Sequence, residues 1–240
     1  MRKIYSYKNL LEGTLIKRYK RFLADVRFEG GKKATVFCPN SGSMLGLREP
    51  GMPVLLSPAE DPERKTQWTL EAVRVGRTWV AVNTHLTNRL AGIIVERGIA
   101  GGALKGLSIV RPEVTVGDSR LDYLLEDADD RQTYMEVKSV TLRMGDEACF
   151  PDAVTTRGAK HLRELSGIAR EGRGGALMLY LVQRGDCKCF RTADEIDPAY
   201  GDGLREAMAS GVRAEVHVLS VRRDGVYYKG RMEQCQKRHS

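Results

Sequence analysis

The first eighty-odd residues are punctuated as short strands, and that punctuation constrains the fold more than any other feature of the chain. Gly13 to Tyr19 reads as one strand and Arg21 to Glu29 as a second. In the second, Phe22, Ala24, Val26 and Phe28 fall on one face and Arg21, Asp25 and Arg27 on the other. Gly30-Gly31 with Lys32-Lys33 makes a hairpin turn, and Ala34 to Cys38 returns. Pro53 to Ser57, Gln67 to Val75 and Thr78 to Asn83 supply the remaining strands. Five or six short strands in about 70 residues suit a small closed barrel, because closure removes the sheet edges.

From Thr84 the pattern changes. Thr87 to Ile99 carries Leu90, Ile93, Ile94 and Arg97 at helical spacing, and Gly98 with Gly101-Gly102 ends it. Strands follow near Glu113 to Val116, Leu121 to Leu125 and Tyr134 to Leu142. Thr156 to Arg170 is helical, with Leu162, Leu165, Ile168 and Ala169 on its apolar side and Gly172-Arg173-Gly174-Gly175 as its stop. Ala176 to Val182 is a continuous apolar run, as in a central strand buried on both faces. Ala199 to Ser210 is another helix and Ala214 to Val221 another strand. Helix, three strands, helix, strand is an α/β sandwich order. The expected division is a barrel over 1–82 and an α/β domain over 83–240.

Charge follows the same division. Residues 1–82 hold 15 Lys/Arg against 8 Asp/Glu, whereas residues 83–240 hold 24 against 23. Ten of the basic groups lie in the first 33 residues, Lys17, Arg18, Lys20 and Arg21 among them. A basic lobe beside a neutral one points to a polyanion gripped by the barrel. A small basic barrel resembles the OB fold, which binds oligonucleotides through charge and aromatic stacking. Tyr19, Phe22, Phe28, Phe37, Trp68 and Trp79 are the aromatics available, most of them expected to fill the barrel. With 42% hydrophobic and 29% charged residues the chain is not a disordered one. It has no apolar stretch of about 18 residues and no signal-peptide pattern at its first residues, so a membrane is not expected. The five cysteines (Cys38, Cys149, Cys187, Cys189, Cys235) are odd in number and scattered. They read as reduced thiols of a cytoplasmic protein.

One constellation carries chemistry. Asp122 is followed, one expected β-hairpin later, by Glu136-Val137-Lys138. Two carboxylates can hold a hard divalent cation through oxygen, and a lysine supplies a compact positive charge beside a phosphate or an attacking water. Glu136 and Lys138 are two apart on a strand and share a face, which Asp122 reaches from the neighbouring strand if the hairpin pairs in register. The acid-x-Lys spacing also occurs at Glu63-Arg64-Lys65 and Asp186-Cys187-Lys188, so spacing alone leaves open a solvated strand face with a cross-strand ion pair. Only Glu136-Val137-Lys138 lies in a β-rich setting with a strand-borne Asp upstream. There is no Walker A sequence, G-x-G-x-x-G or H-E-x-x-H, so ATPase, dehydrogenase and zinc-protease chemistry have no support.

Six blocks in one order extend the pattern over nearly the whole chain. They are Arg21-Phe22-Leu23-Ala24-Asp25-Val26, Cys38-Pro39-Asn40-Ser41-Gly42-Ser43-Met44, Val82-Asn83-Thr84, Ser119-Arg120-Leu121-Asp122-Tyr123, Glu136 to Leu142, and Phe150 to Leu162. Together they resemble the sugar fermentation stimulation protein A family. Phe37 stands where that family often has His, and Ser41 where Thr is usual. The resemblance implies an N-terminal OB-like barrel, a C-terminal α/β domain resembling PD-(D/E)XK nucleases, non-specific DNA binding, and an association with sugar-utilisation genes. On their own chemistry, Asp122, Glu136 and Lys138 are expected to form a catalytic site holding Mg²⁺ or Mn²⁺, with Glu113 as a further metal-side acid or else a solvated strand-end glutamate. Arg157, Lys160 and His161 share a helical face suited to a phosphate, or to an ion pair with Asp152 or Glu164. His161 is at most an accessory base. Asn40, Ser41 and Ser43 shape a turn. Two alternatives stay open: a catalytically silent DNA-binding or regulatory protein on a nuclease scaffold, and an RNA-directed nuclease.

Overall fold

The computed structural model describes residues 1–236. Strands β1 (Arg2–Tyr5), β2 (Leu11–Tyr19), β3 (Leu23–Phe28), β4 (Lys33–Phe37), β5 (Pro53–Pro58), β6 (Trp68–Val75) and β7 (Thr78–Ala81) come first. Five of them close a barrel in the order β4-β3-β2-β5-β6, and β4 meets β6 in parallel at Phe37 and Thr69. Alternation drives the closure: Ala24 and Val26, with Leu15, Val36, Leu56, Leu70 and Val73, turn inward and are fully buried. Met44 and Leu47, from the long loop between β4 and β5, join the same core.

The second half begins with α1 (Thr84–Glu96) and continues with β8 (Ser108–Val116), β9 (Ser119–Glu126), β10 (Gln132–Val140), β11 (Leu142–Met144) and β12 (Glu147–Phe150). Helix α2 (Thr156–Arg170), β13 (Gly175–Val182), β14 (Cys189–Thr192), α3 (Pro198–Ala209), β15 (Arg213–Arg222) and β16 (Gly225–Arg231) complete it. The sheet order is β15-β13-β10-β9-β8. β10, β13 and β15 are parallel, and β9 and β8 antiparallel. Helices α2 and α3 cover one face through Leu162, Leu165, Ile168 and Leu204, and α1 covers the other through Leu90, Ala91 and Ile94. The apolar run in β13 is the central strand of this three-layer sandwich, as its composition demands.

The structure departs from the sequence expectations in several places. β1 does not join the barrel; it pairs antiparallel with β16, on the far side of the second half's sheet. β11, β12 and β14 form a separate three-stranded sheet that no local pattern announced. The thiols are not all reduced. Cys189 is bonded to Cys235, because the segment after β16 returns alongside β14 through a parallel bridge between Phe190 and Gln234. Cys38, Cys149 and Cys187 remain free. Phe22, expected on the inner face, is exposed. Among the described residues no helix is long and apolar enough to cross a membrane.

Helix α1 starts at Thr84 rather than Thr87, since Asn83 caps it: the Asn83 side-chain oxygen accepts from the Leu86 N–H at 3.2 Å. The Asn83 amide also donates to buried Glu71 at 3.0 Å. Asn83→Ala is therefore expected to cost about 1 kcal/mol or somewhat more, read as a lower urea midpoint with an unchanged slope.

Candidate functional site

The candidate side chains sit where β8, β9 and β10 lie side by side, with α2 crossing above. Antiparallel pairing of Met135 with Tyr123 puts Asp122 beside Glu136, and the two-residue period of β10 puts Lys138 on the Glu136 face. Asp122 receives hydrogen bonds from the Asn88 amide and from the Val137 N–H, each at 2.7 Å. Glu136 is almost fully buried, and its Oε1 receives the Lys138 ammonium at 2.6 Å and the His161 ring through Nδ1. Its Oε2 is buried and has no partner. On the other side of the imidazole, Arg157 donates through Nε to His161 Nε2 at 3.4 Å. That contact leaves Nε2 as the acceptor and assigns the proton to Nδ1, so His161 and Lys138 both donate to one Glu136 oxygen.

Two carboxylates in one buried site repel each other, and the consequences are unequal. Burial, reinforced by the Glu136 charge, pushes the Asp122 carboxyl up to about 6. Burial also pushes Glu136 up, but the His161 hydrogen bond and the Lys138 charge outweigh it and hold that group below its ordinary value. A divalent cation would relieve both the repulsion at Asp122 and the orphaned Glu136 oxygen.

These residues form the floor of a cleft of about 1010 Å³ walled by both halves of the chain. Arg21, Phe22 and the loop 39–43 come from the barrel, His85 and Asn88 from α1, and Asp152, Val154 and Arg157 from the second half. A clasp fixes the walls: the Met44 N–H donates to Asp152 Oδ2 at 2.8 Å and the Ser43 hydroxyl to the Asp152 carbonyl at 2.6 Å. Gly42 permits this approach, since a Cβ there would lie 3.1 Å from both Asn40 Oδ1 and Asp152 Oδ1. A separate depression of about 860 Å³, lined by Arg74, Arg77, Arg222 and Arg223, has Asp224 as its one carboxylate and so lacks a donor pair.

The remaining candidates are distributed unevenly. Glu113 lines the cleft, but its carboxylate turns out to an exposed ion pair with Arg120 at 2.6 Å. Arg18 is put to a structural use, donating through one guanidinium nitrogen to the carbonyls of Arg21, Asn40 and Gly42 at 2.7 to 3.0 Å. Lys17 leans over the Tyr19 ring beside Asp25, and Lys20 is exposed in the β2–β3 turn. Lys160 does not converge with Arg157; it donates to the Asp118 carbonyl at 2.8 Å, at the β8–β9 turn. The sequence reading missed Asn88 and gave Asp152 a different role, as an ion-pair partner of the α2 cations. Asn88 carries no local signal, and Asp152, although inside a quoted block, reveals its clasp only through a partner 108 residues away.

Comparison with known proteins meets this geometry. Residues 16–82 match the model of the SfsA N-terminal OB domain, and residues 85–225 that of the sugar fermentation stimulation protein RE domain. The chain belongs to the SfsA family. Among its relatives, the sugar fermentation stimulation protein homolog of Geotalea uraniireducens is 46% identical over 224 residues, 93% of this chain and 96% of that one. The homolog of Syntrophotalea carbinolica is 50% identical over 208 residues, 85% of this chain and 87% of the relative. The structure of Pyrococcus furiosus SfsA in complex with Ca²⁺ superposes with a TM-score of 0.91 at 26% identity, covering 98% of this chain and all of that one. The SfsA architecture is therefore an OB barrel followed by an α/β domain of the PD-(D/E)XK nuclease type.

Proposed function

We propose that the protein binds DNA with low sequence specificity and cleaves it at a site dependent on Mg²⁺ or Mn²⁺. The observation that carries this reading is the buried, partnerless Oε2 of Glu136 beside the Asp122 carboxyl and the Lys138 ammonium, at the bottom of a cleft that the basic barrel helps to wall. Asp122 and Glu136 would hold the ion, with Glu113 reaching it only after leaving Arg120. The bound ion supplies charge neutralisation at the scissile phosphate and a more acidic water. The Ca²⁺ held by the Pyrococcus relative supports a divalent cation here.

The chain's own residues do the rest. Lys138 presents its ammonium to a phosphate oxygen or to the attacking water. His161, with its proton on Nδ1, holds the Glu136 carboxylate in place, and Arg157 fixes the ring from outside. Arg21 and Arg157 line the cleft and neutralise flanking phosphates, while Lys17 and Lys20 extend the charge outward along the barrel. The association with sugar fermentation that the relatives' names carry is extended to this chain as a consequence of DNA binding.

A second reading has its own support. Both Asp122 oxygens already accept hydrogen bonds, and Lys138 is paired to Glu136, so the same residues form a stable polar core without an ion. In that case the scaffold binds DNA and does not cut it. The deciding experiment incubates the purified protein with labelled single-stranded DNA, duplex DNA and RNA, in Mg²⁺, Mn²⁺ or EDTA, at two salt concentrations. Cleavage in metal alone and affinity that falls steeply with salt are expected. Tight, salt-sensitive binding without cleavage establishes the second reading, cleavage of RNA alone moves the substrate to RNA, and a flat salt response removes the non-specific DNA reading.

A further inference from the structure

Phe22 is the one phenylalanine, tyrosine or tryptophan that is exposed rather than buried or half-buried among the described residues, with 43% of its surface open to solvent. It lies in the cleft that holds Asp122, Glu136 and Lys138. The β2–β3 turn presents it there. Lys20 and Arg21 both adopt left-handed backbone, with φ of 45° and 63°, a conformation that glycine or asparagine ordinarily supplies. The Phe22 N–H then donates to the Lys20 carbonyl at 2.6 Å, and the Phe22 carbonyl accepts from the Cys38 N–H at 2.8 Å. The backbone on both sides of the exposed ring is thus pinned, although the ring itself gains little burial.

Behind it stands a row of rings. Phe37 lies 6.4 Å from Phe22, centroid to centroid, and His85 of α1 lies 6.1 Å beyond Phe37. The Arg64 guanidinium covers Phe37 at 5.5 Å. Arg21 adjoins Phe22 on the barrel wall, and Val154, 72% exposed, faces the cleft from the other half beside Arg157. An apolar partner protein would not suit a surface flanked by Arg21 and Arg157 and floored by a carboxylate–lysine cluster. A polyanion with flat, π-faced groups suits it on both counts.

We infer that Phe22, backed by Phe37 and His85, is a stacking platform for an unpaired base, so that the strand entering the site is single-stranded or locally unpaired. This rests on the nucleic-acid reading above and names its substrate class. Within a duplex the flat face of a base is covered by its neighbours, so a side chain at the rim meets it only where the stack is open.

The test measures binding of the full chain in EDTA, where no cleavage competes, to a labelled oligothymidylate and to an abasic oligomer of equal length and charge. The wild type is expected to prefer the base-bearing oligomer by about tenfold. Phe22→Ala and Phe22→Leu should both lose that preference while holding the abasic strand as well as the wild type does. Leucine fills similar apolar space without a π face, so it separates stacking from packing. The inference is overturned if the preference survives in either variant, if both oligomers weaken equally in both variants, or if the wild type shows no preference. Failure of the wild type to bind either oligomer would remove the nucleic-acid reading along with it.

Discussion

Lys138→Ala is expected to lower the proposed metal-dependent cleavage by about a hundredfold to a thousandfold while changing DNA affinity by no more than a few fold. The magnitude is that of removing one positioned positive or hydrogen-bonding group from a reacting phosphate's surroundings. The asymmetry follows from position. Lys138 is largely buried at the bottom of the cleft and paired to Glu136 at 2.6 Å, whereas the charges at the cleft's rim, Arg21 and Arg157, are exposed. On the proposed function, losing the bottom charge would affect the reacting group, and losing a rim charge would affect the grip on the strand. Lys138→Arg should not restore the rate, since a planar fork cannot replace a compact ammonium beside Glu136. Removing Lys138 leaves His161 as the one remaining donor to Glu136, so a melting curve taken in parallel separates an inactive folded variant from an unfolded one. Equal losses in cleavage and in binding would place Lys138 with the phosphate-gripping residues and away from the chemistry.

Asp122→Asn is expected to raise the stability of the metal-free protein at pH 7 and to abolish the proposed response to Mg²⁺. The carboxyl is pushed up to about 6 in the folded state, by burial first and by the Glu136 charge second. It titrates near 3.9 in an unfolded chain, so ionisation favours unfolding. The contribution of this group to stability is therefore highest below about pH 4, falls as the pH rises through the interval from about 4 to about 6, and stays low above it. A gap of about two units corresponds to about 3 kcal/mol at neutral pH. Asparagine offers one oxygen where Asp122 uses two, and the lost acceptor offsets about 1 kcal/mol. The net gain is about 2 kcal/mol, or about 4–8 °C in Tm for a chain of this size, and it should disappear below pH 4. Mg²⁺ at a hundred times its Kd should stabilise the wild type by about 2.7 kcal/mol and leave the variant unmoved. A variant that melts lower than the wild type at pH 7, or one that still responds to Mg²⁺, would assign Asp122 to structure.

The elements most legible in the sequence were those whose own residues start and stop them. The reading of α2 as Thr156 to Arg170 coincides with the helix observed, because Thr155 caps it through the Gly158 N–H and a glycine-rich run follows. The barrel strands were visible because alternation and turn glycines are local. The strands β11, β12 and β14, at three or four residues each, are defined by their neighbours, and Leu142 looked like the end of β10. β1 carries one fully buried residue, Ile4, and acquires its identity from a partner more than 220 residues along the chain.

The candidate site was legible to the same degree. Glu136 and Lys138 share a face because a strand has period two, and a hairpin register can be extrapolated to Asp122. Surroundings cannot be extrapolated. Arg157, Lys160 and His161 looked like one cationic helical face, yet the structure divides them among the cleft rim, the Asp118 carbonyl and the buried Glu136. Glu113 sits on a strand with an irregular register and a φ of 55°, and its carboxylate leans toward Arg120. Arg18 looked like a phosphate ligand because its three carbonyl partners come from loop backbone, which composition does not reveal.

The seam between the halves sets how the molecule can respond to what it holds. β7 pairs with β15 at Trp79 and Val221, the Ala81 N–H reaches the Gln183 carbonyl, Thr84 ties to Pro39, and Asp152 grips Ser43 and Met44. Val82, between barrel and helix, is buried. Among the described residues no slack segment separates the barrel from the domain that carries Asp122, Glu136 and Lys138. On the proposed function, a strand would have to arrive already bent or opened to the shape of the gap, and selectivity would then fall on the deformability of the nucleic acid rather than on the order of its bases.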